Sequence, residues 1–336
     1  MPERTFMQRR QTLKTLLASS GLSAGLFSVP NLFAQSNYPS KPIRYIVPVS
    51  AGGGSDMIGR TVCERWGRVL GQPMIIDNEG GGGGVIACQN AAKASPDGYT
   101  LMQGYVATLG TSPATRSNLP YDPIKDFTPI GMIGGTPNVL VVHPGVPAKN
   151  LKEFIDYIKK YPEKVSYGSS GQGSLTHLTM ELFKQVEDSS IVHIPYKGIA
   201  PAFNDLMGGQ IQAMFPGLAA ALPHIRSGRV KAIAVTGTSR GTQLKDVPTL
   251  DELGLKGFTA LQWYGVVGPA GMPSSVVQKL NETLKVTLSA PELKDKMSVE
   301  AVEPMPMSPD QFSKYIKADL AKWTKLAKER NIELDN

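Results

Sequence analysis

Between Ile43 and Asp56 the sequence reads IRYIVPVSAGGGSD, and no other stretch restricts the fold so tightly. Ile43, Tyr45, Val47 and Val49 alternate with their neighbours at the period of a strand. Ser50-Ala51-Gly52-Gly53-Gly54 then breaks the run, and Ser55 and Asp56 follow as residues suited to an N-cap. Ile58, Val62, Trp66, Val69 and Leu70 fall at helical spacing up to Gly71, which stands where a C-terminal cap belongs. Strand, glycine turn and helix in that order leave backbone N–H groups open at the positive end of a helix, worth about half an elementary charge. Such a turn receives an anion.

The pattern recurs. Met74–Asp77 is a second strand, and a second glycine run, Gly80–Gly84, leads into a helix over Val85–Ala94. Ser95-Pro96-Asp97-Gly98 is a turn, and Tyr99–Met102 a third strand. This βαβαβ order implies parallel strands covered by helices on both faces. Ser112–Pro129 reads as proline-rich loop, Val139–Val142 as an apolar strand, and Asn150 with Glu153 as a capping box. Val165–Tyr167, the glycine and serine turn Gly168–Ser174 and a helix over Leu175–Phe183 repeat the unit. Strands over Ile191–Ile194, Ile211–Phe215 and Ala232–Thr236 and a helix over Pro201–Met207 complete a second α/β section. Leu261–Gly268 is extended and the remainder helical. Ser275 with Gln278 suggests one capping box, and Ser308-Pro309 with Gln311 another. Phe312, Tyr315, Ile316, Leu320 and Trp323 form a stripe that must pack on something.

The first residues belong to export. Arg9-Arg10-Gln11-Thr12-Leu13-Lys14 is a twin-arginine pattern, and Leu16–Val29 is an apolar, small-residue stretch too short for a stable span. A cut after Ala34 makes residues 1–34 a signal peptide, with the periplasm as destination. Setting aside the leader's Arg4, Arg9, Arg10, Lys14 and Glu3 lowers the formal charge of +7 to about +4. No basic cluster with interleaved aromatics exists, so nucleic acid is not an expected partner.

These segments and their motifs resemble the periplasmic receptors of the tripartite tricarboxylate transporter family, the Bug-type receptors. The motifs are Tyr38-Pro39-Ser40-Lys41-Pro42-Ile43, Pro96-Asp97-Gly98-Tyr99-Thr100-Leu101 and Leu119-Pro120-Tyr121-Asp122-Pro123, then His177-Leu178, His193-Ile194-Pro195-Tyr196-Lys197-Gly198, Asp246-Val247-Pro248-Thr249 and Gly268-Pro269-Ala270-Gly271. The resemblance implies an α/β fold of two doubly wound lobes closing on a ligand cleft, the Venus-flytrap architecture of periplasmic binding proteins. Residues 36–138 with 262–336 would form one lobe and 139–261 the other, with crossovers near Ile130–His143 and Ala260–Gly268. It implies a non-catalytic, monomeric receptor that hands a small organic carboxylate to integral-membrane transporter subunits and needs no cofactor.

Mapped residue by residue, the resemblance selects Ser50, Ala51, Gly52, Gly53 and Asp56 from the first loop and Gly82 and Gly83 from the second. From the third it selects Ser169, Ser170, Gly173, Ser174 and His177. Pro216 stands where the family often carries an acid, which favours a solute without an amine. Glu79 opens the second loop where the family usually has Arg-Pro, and either faces the cleft or points to solvent. Trp263 and Tyr264, on the second crossover, either line the cleft and stack on an aromatic acid or pack in the core.

A competing reading makes the chain an exported nucleotide-binding oxidoreductase, with Gly52 and Gly54 opening a dinucleotide fingerprint and Asp77 binding a ribose. The third glycine of that fingerprint would fall at Met57. Gly168-Ser169-Ser170-Gly171-Gln172 fails the serine-hydrolase elbow at its last position. The four histidines have no metal-ligand spacing. Cys63 and Cys88 leave a disulfide and two buried thiols both open, the thiols being the default.

Overall fold

The computed structural model describes residues 38–334. The leader, with its twin arginines and the cut after Ala34, lies outside the described residues. Strand β1 (Ile43–Val47), helix α1 (Gly54–Leu70) and strand β2 (Met74–Asn78) come first, then a 3-10 turn over Gly82–Gly84 into α2 (Val85–Ala92) and β3 (Thr100–Tyr105). β1 pairs in parallel with both β2 and β3. Its alternation divides the side chains between two cores. Ile43, Tyr45 and Val47 join α1's Ile58, Val62 and Trp66 on one face, while Ile46 meets Ala87, Cys88 and Ala91 of α2 on the other. Cys63 and Cys88 are buried free thiols.

Two local readings change here. The N-cap of α1 is Gly53, in extended backbone and without a side-chain cap; Asp56, three residues in, reaches back to the Gly52 N–H instead. The stretch read as loop from Ser112 begins with helix. Val106 enters a π-helical segment, Ala107–Thr111, that continues as α3 (Ser112–Thr115). Gly110 and Pro113 made this turn-like in sequence, but Pro113 sits in α3's first turn, where its missing N–H costs little.

β4 (Phe127–Pro137) closes the first sheet's inner half and β5 (Val139–Val142) opens the second sheet, so the chain changes sheets at Asn138. α4 (Leu151–Lys160) starts at Asn150, whose Oδ1 accepts from the Glu153 N–H at 2.9 Å. β6 (Ser166–Ser169), α5 (Leu175–Val186), β7 (Val192–Pro195), α6 (Ile199–Met207), β8 (Ala213–Met214), α7 (Leu218–Arg226) and β9 (Lys231–Val235) follow. Helix α7 has no counterpart among the sequence expectations, because Pro216 before it and Pro223 inside it read as breakers. The strand order here is β7-β6-β8-β5-β9. Val139 and Val141 point to α6 and α7, Leu140 and Val142 to α4 and α5.

β10 (Leu261–Pro269) returns to the first sheet, antiparallel to β4 from Leu261↔Pro137 to Pro269↔Phe127. α8 (Ser274–Ser289), α9 (Pro291–Val299), the short edge strand β11 (Glu303–Pro304) and α10 (Pro309–Glu329) end the fold. The first sheet's order is β11-β4-β10-β3-β1-β2. α8 begins after Pro273 with no side-chain cap, so the box expected at Ser275 and Gln278 does not form. The Ser308–Gln311 box does, with Pro309 at the first helical position. Phe312, Ile316 and Trp323 of α10 are buried in the same core as Trp263. Among the described residues no helix is long and apolar enough to cross a membrane.

Candidate functional site

The C-terminal ends of β2, β3 and β6 each release a turn or helix, and these gather around one cavity of about 390 Å³. Gly83 of the second loop, Tyr105 to Ala107 at the start of the π-bearing helix, and Ser170 to Thr176 of the third loop form its walls. Thr111, Ser112, Thr115 and Arg116 extend one side, and Asn138, Gln262 and Leu334 contribute from the sheet change and the C-terminus. Two helix N-termini therefore open onto the same space: that of the helix over residues 106–115, and that of α5. Each offers backbone N–H groups that no residue within the helix accepts from. A π-bulge in the former widens its first turns where Ala107 and Thr111 line the cavity.

The glycine loops stack on one another for steric reasons. Gly81, Gly82, Gly83 and Gly84 all have positive φ. A Cβ on Gly84 would lie 2.6 Å from Thr108 Cγ2, and one on Gly80 would lie 2.7 Å from Ser50 Oγ. The second loop thus rests on the first loop and on the π-bearing helix at once.

Asp56 fastens this arrangement. Its Oδ2 accepts from the Gly52 N–H at 2.8 Å and from Arg60 Nε at 2.9 Å, and its Oδ1 accepts from Asn78 Nδ2 at 2.9 Å. Burial opposes its charge, but the hydrogen bonds from Arg60, Gly52 and Asn78 outweigh it and hold the carboxyl below its ordinary range. Only 2 % of Asp56 is exposed. Both its oxygens are engaged by loop, helix and strand, so it shapes the first loop from behind.

The third loop is held by a stack of rings. His177 and His193 lie face to face with centroids 3.9 Å apart, and Tyr167 stacks on His193 at 4.8 Å. His177 Nδ1 accepts from the Gly173 N–H at 3.1 Å, and His193 Nε2 lies 2.7 Å from Ser169 Oγ. Burial pushes both imidazoles down to about 4. Ser174 caps α5 by accepting from the His177 N–H, and its hydroxyl donates to Gly171 O at 2.6 Å. The serine hydroxyls expected as ligand donors are thus largely spent within the loop.

Of the residues selected from sequence, Gly83, Ser170, Gly173 and Ser174 line the cavity. Ser50, Ala51, Gly52 and Gly53 lie exposed on the neighbouring first loop, as does Gly82 on the second. Asp56, Ser169 and His177 are buried supports. Pro216 is buried at the end of β8, where its carbonyl accepts from the Val139 N–H. Trp263 is fully buried, donating from Nε1 to Asp319 Oδ2 at 2.9 Å and packed edge-on against Phe312 and Tyr315. It has no free face for an aromatic solute. Glu79 neither faces the cavity nor stands free: it pairs with Arg44 at 2.5 Å and accepts from Asn90. Tyr105, Ala107, Thr111, Ser112, Arg116, Asn138 and Gln262 escape a reading of the sequence, and only their position after strand β3 or at the sheet change could signal them.

A family model described as the tripartite tricarboxylate transporter family receptor matches residues 58–332. The chain belongs to that receptor family. BugT of Bordetella pertussis is 32% identical over 320 residues, covering 95% of this chain and 98% of BugT. A periplasmic transporter of known structure is 43% identical with a TM-score of 0.76, over 89% of this receptor and 100% of that chain. R. palustris Rpa4515, solved with adipate, is 33% identical with a TM-score of 0.76, over 88% of this receptor and 99% of Rpa4515. The receptor therefore has the periplasmic binding protein fold and binds a solute; it is not an enzyme. That overturns the oxidoreductase alternative, and the first glycine loop, with Met57 at the third fingerprint position, packs against the second loop.

Proposed function

We propose that this receptor captures a small organic carboxylate without an amine and presents it, as a monomer, to integral-membrane subunits of a tripartite tricarboxylate-type permease. The lobes that close on it are residues 36–138 with 262–336, and 139–261, and export follows the twin-arginine route. The observation that carries the reading is the convergence of two helix N-termini on one cavity that, among the described residues, no Asp or Glu lines. Partial positive charge from both sides favours an anion, and the absent acid removes any partner for a ligand ammonium. The cavity's volume lies within the range of small-molecule sites. Rpa4515, of the same fold, was solved with adipate.

A thermal-shift screen of aliphatic, hydroxy and aromatic acids beside amino acids tests this. Stabilisation by one or more plain acids is expected. Stabilisation by amino acids alone would sink the reading.

A further inference from the structure

One charge in the cavity wall is left without a counter-charge. Arg116 directly follows α3 and lines the cavity, and its Nε is buried with no hydrogen-bond partner. Among the described residues it forms no ion pair, whereas Arg44, Arg60, Arg65, Arg68, Arg240 and Arg330 each do. Arg116 also borders an outer groove that holds Asp122 and Asp126, but both are committed elsewhere. Asp122 accepts from the Ile124 and Lys125 N–H groups and pairs with the Lys125 ammonium, while Asp126 accepts from the Asp122 N–H at 2.7 Å.

A buried donor without an acceptor is costly, and a guanidinium is the side chain whose fork best matches a carboxylate. The remaining walls have no second cation: among the described residues, Arg116 and Tyr105 are the only ionisable side chains lining the cavity, and burial pushes the Tyr105 phenol up to about 12. We infer that Arg116 is a specificity-determining residue, which reads a second acidic group on the solute while the helix N-termini hold the first. This rests on the carboxylate reading above and adds to it the side chain that distinguishes a dianion from a monoanion of the same length.

The test uses succinate, glutarate and adipate, each beside its monomethyl ester, titrated calorimetrically into the mature protein and into Arg116→Gln and Arg116→Lys. At least one diacid should bind the parent tenfold or more tighter than its ester. Arg116→Gln should bring that pair to within about threefold, with the loss falling on the diacid, and Arg116→Lys should keep part of the preference. An unchanged thermal midpoint without ligand establishes that each variant is folded. A preference that survives Arg116→Gln undiminished overturns the inference, as does a parent that binds diacid and ester equally, the carboxylate reading then standing. A parent that binds none of these, nor any acid of the screen, overturns both.

Discussion

Asn138 and Thr236 hold each other through two hydrogen bonds at the point where the chain changes sheets. The Asn138 N–H donates to Thr236 Oγ1 at 2.9 Å, and the Thr236 N–H donates to the Asn138 carbonyl at 2.8 Å. Thr236 Oγ1 in turn donates to Ala260 O at 2.5 Å, so one hydroxyl ties the outgoing passage after β4 to the returning passage before β10. Both residues are fully buried. Thr236→Val keeps the shape and removes the hydroxyl, leaving the Asn138 N–H and the Ala260 carbonyl unpaired in the interior. Urea unfolding should show a loss of about 1–3 kcal/mol per orphaned group. A loss under about 0.5 kcal/mol in total would mean that the hydroxyl does not tie the passages.

Asp56 makes a second prediction. Asp56→Asn retains the size but weakens the grip on Arg60 and on the Gly52 N–H, so the first loop should open while the sheet stays intact. Hydrogen exchange at Gly52 should quicken, and stability should fall by about 1–3 kcal/mol near neutral pH. Because the folded carboxyl is held below its ordinary value, its contribution is present above the unfolded value and lost as pH falls through the folded one. The gap between parent and variant should therefore close in acid. A gap independent of pH would refute the assignment of Asp56 as a charged fastener.

The ring stack gives the third. His177 and His193 titrate at about 4 in the fold, against about 6.5 for a free imidazole. Between those values the unfolded chain binds protons that the fold refuses, so stability is full above about pH 6.5 and declines as pH falls toward 4. Thermal midpoints measured across that window should fall, and His193→Gln should flatten the slope. A parent curve that is flat from about pH 7 to about pH 4 would contradict the buried, neutral stack.

Gly84 supplies a steric test. Its φ is +92, and a Cβ there would stand only 2.6 Å from Thr108 Cγ2, so alanine meets both backbone strain and a clash. Gly84→Ala should cost about 1–3 kcal/mol and weaken ligand binding, since the π-bearing helix must move away from the second loop. Gly71, also at positive φ but with open space around it, should show backbone strain alone and no loss of binding when changed to alanine. Equal effects on binding at the two positions would mean that the contact with Thr108 does not position the cavity wall.

How far the site can be read in advance depends on sequence distance. The three glycine loops are legible because strand, turn and helix signals lie within a few residues of each other, and Gly83, Ser170, Gly173 and Ser174 do reach the cavity. The wall opposite them is not. Val106 to Thr115 carries Gly110 and Pro113, which punctuate a loop by local rules, yet tertiary packing on α10 carries it as helix. Trp263 is ambiguous for a related reason. Strand alternation puts it on one face or the other, and only the position of Asp319, 56 residues away, decides that it faces α10. Asp56 reads as part of the anion cradle because it follows the glycines, but its partner Asn78 lies 22 residues on and turns it to structural use.

An organic carboxylate is expected to sit between the two helix N-termini. A crystal structure of the mature protein grown with adipate addresses it directly. Carboxylate density is expected in the cavity bounded by Gly83, Ala107 and Ser170 to Thr176, with an oxygen within hydrogen-bond distance of backbone N–H groups from both helices. Adipate bound outside that cavity, or held there by side chains alone with both helix N-termini facing water, would contradict it.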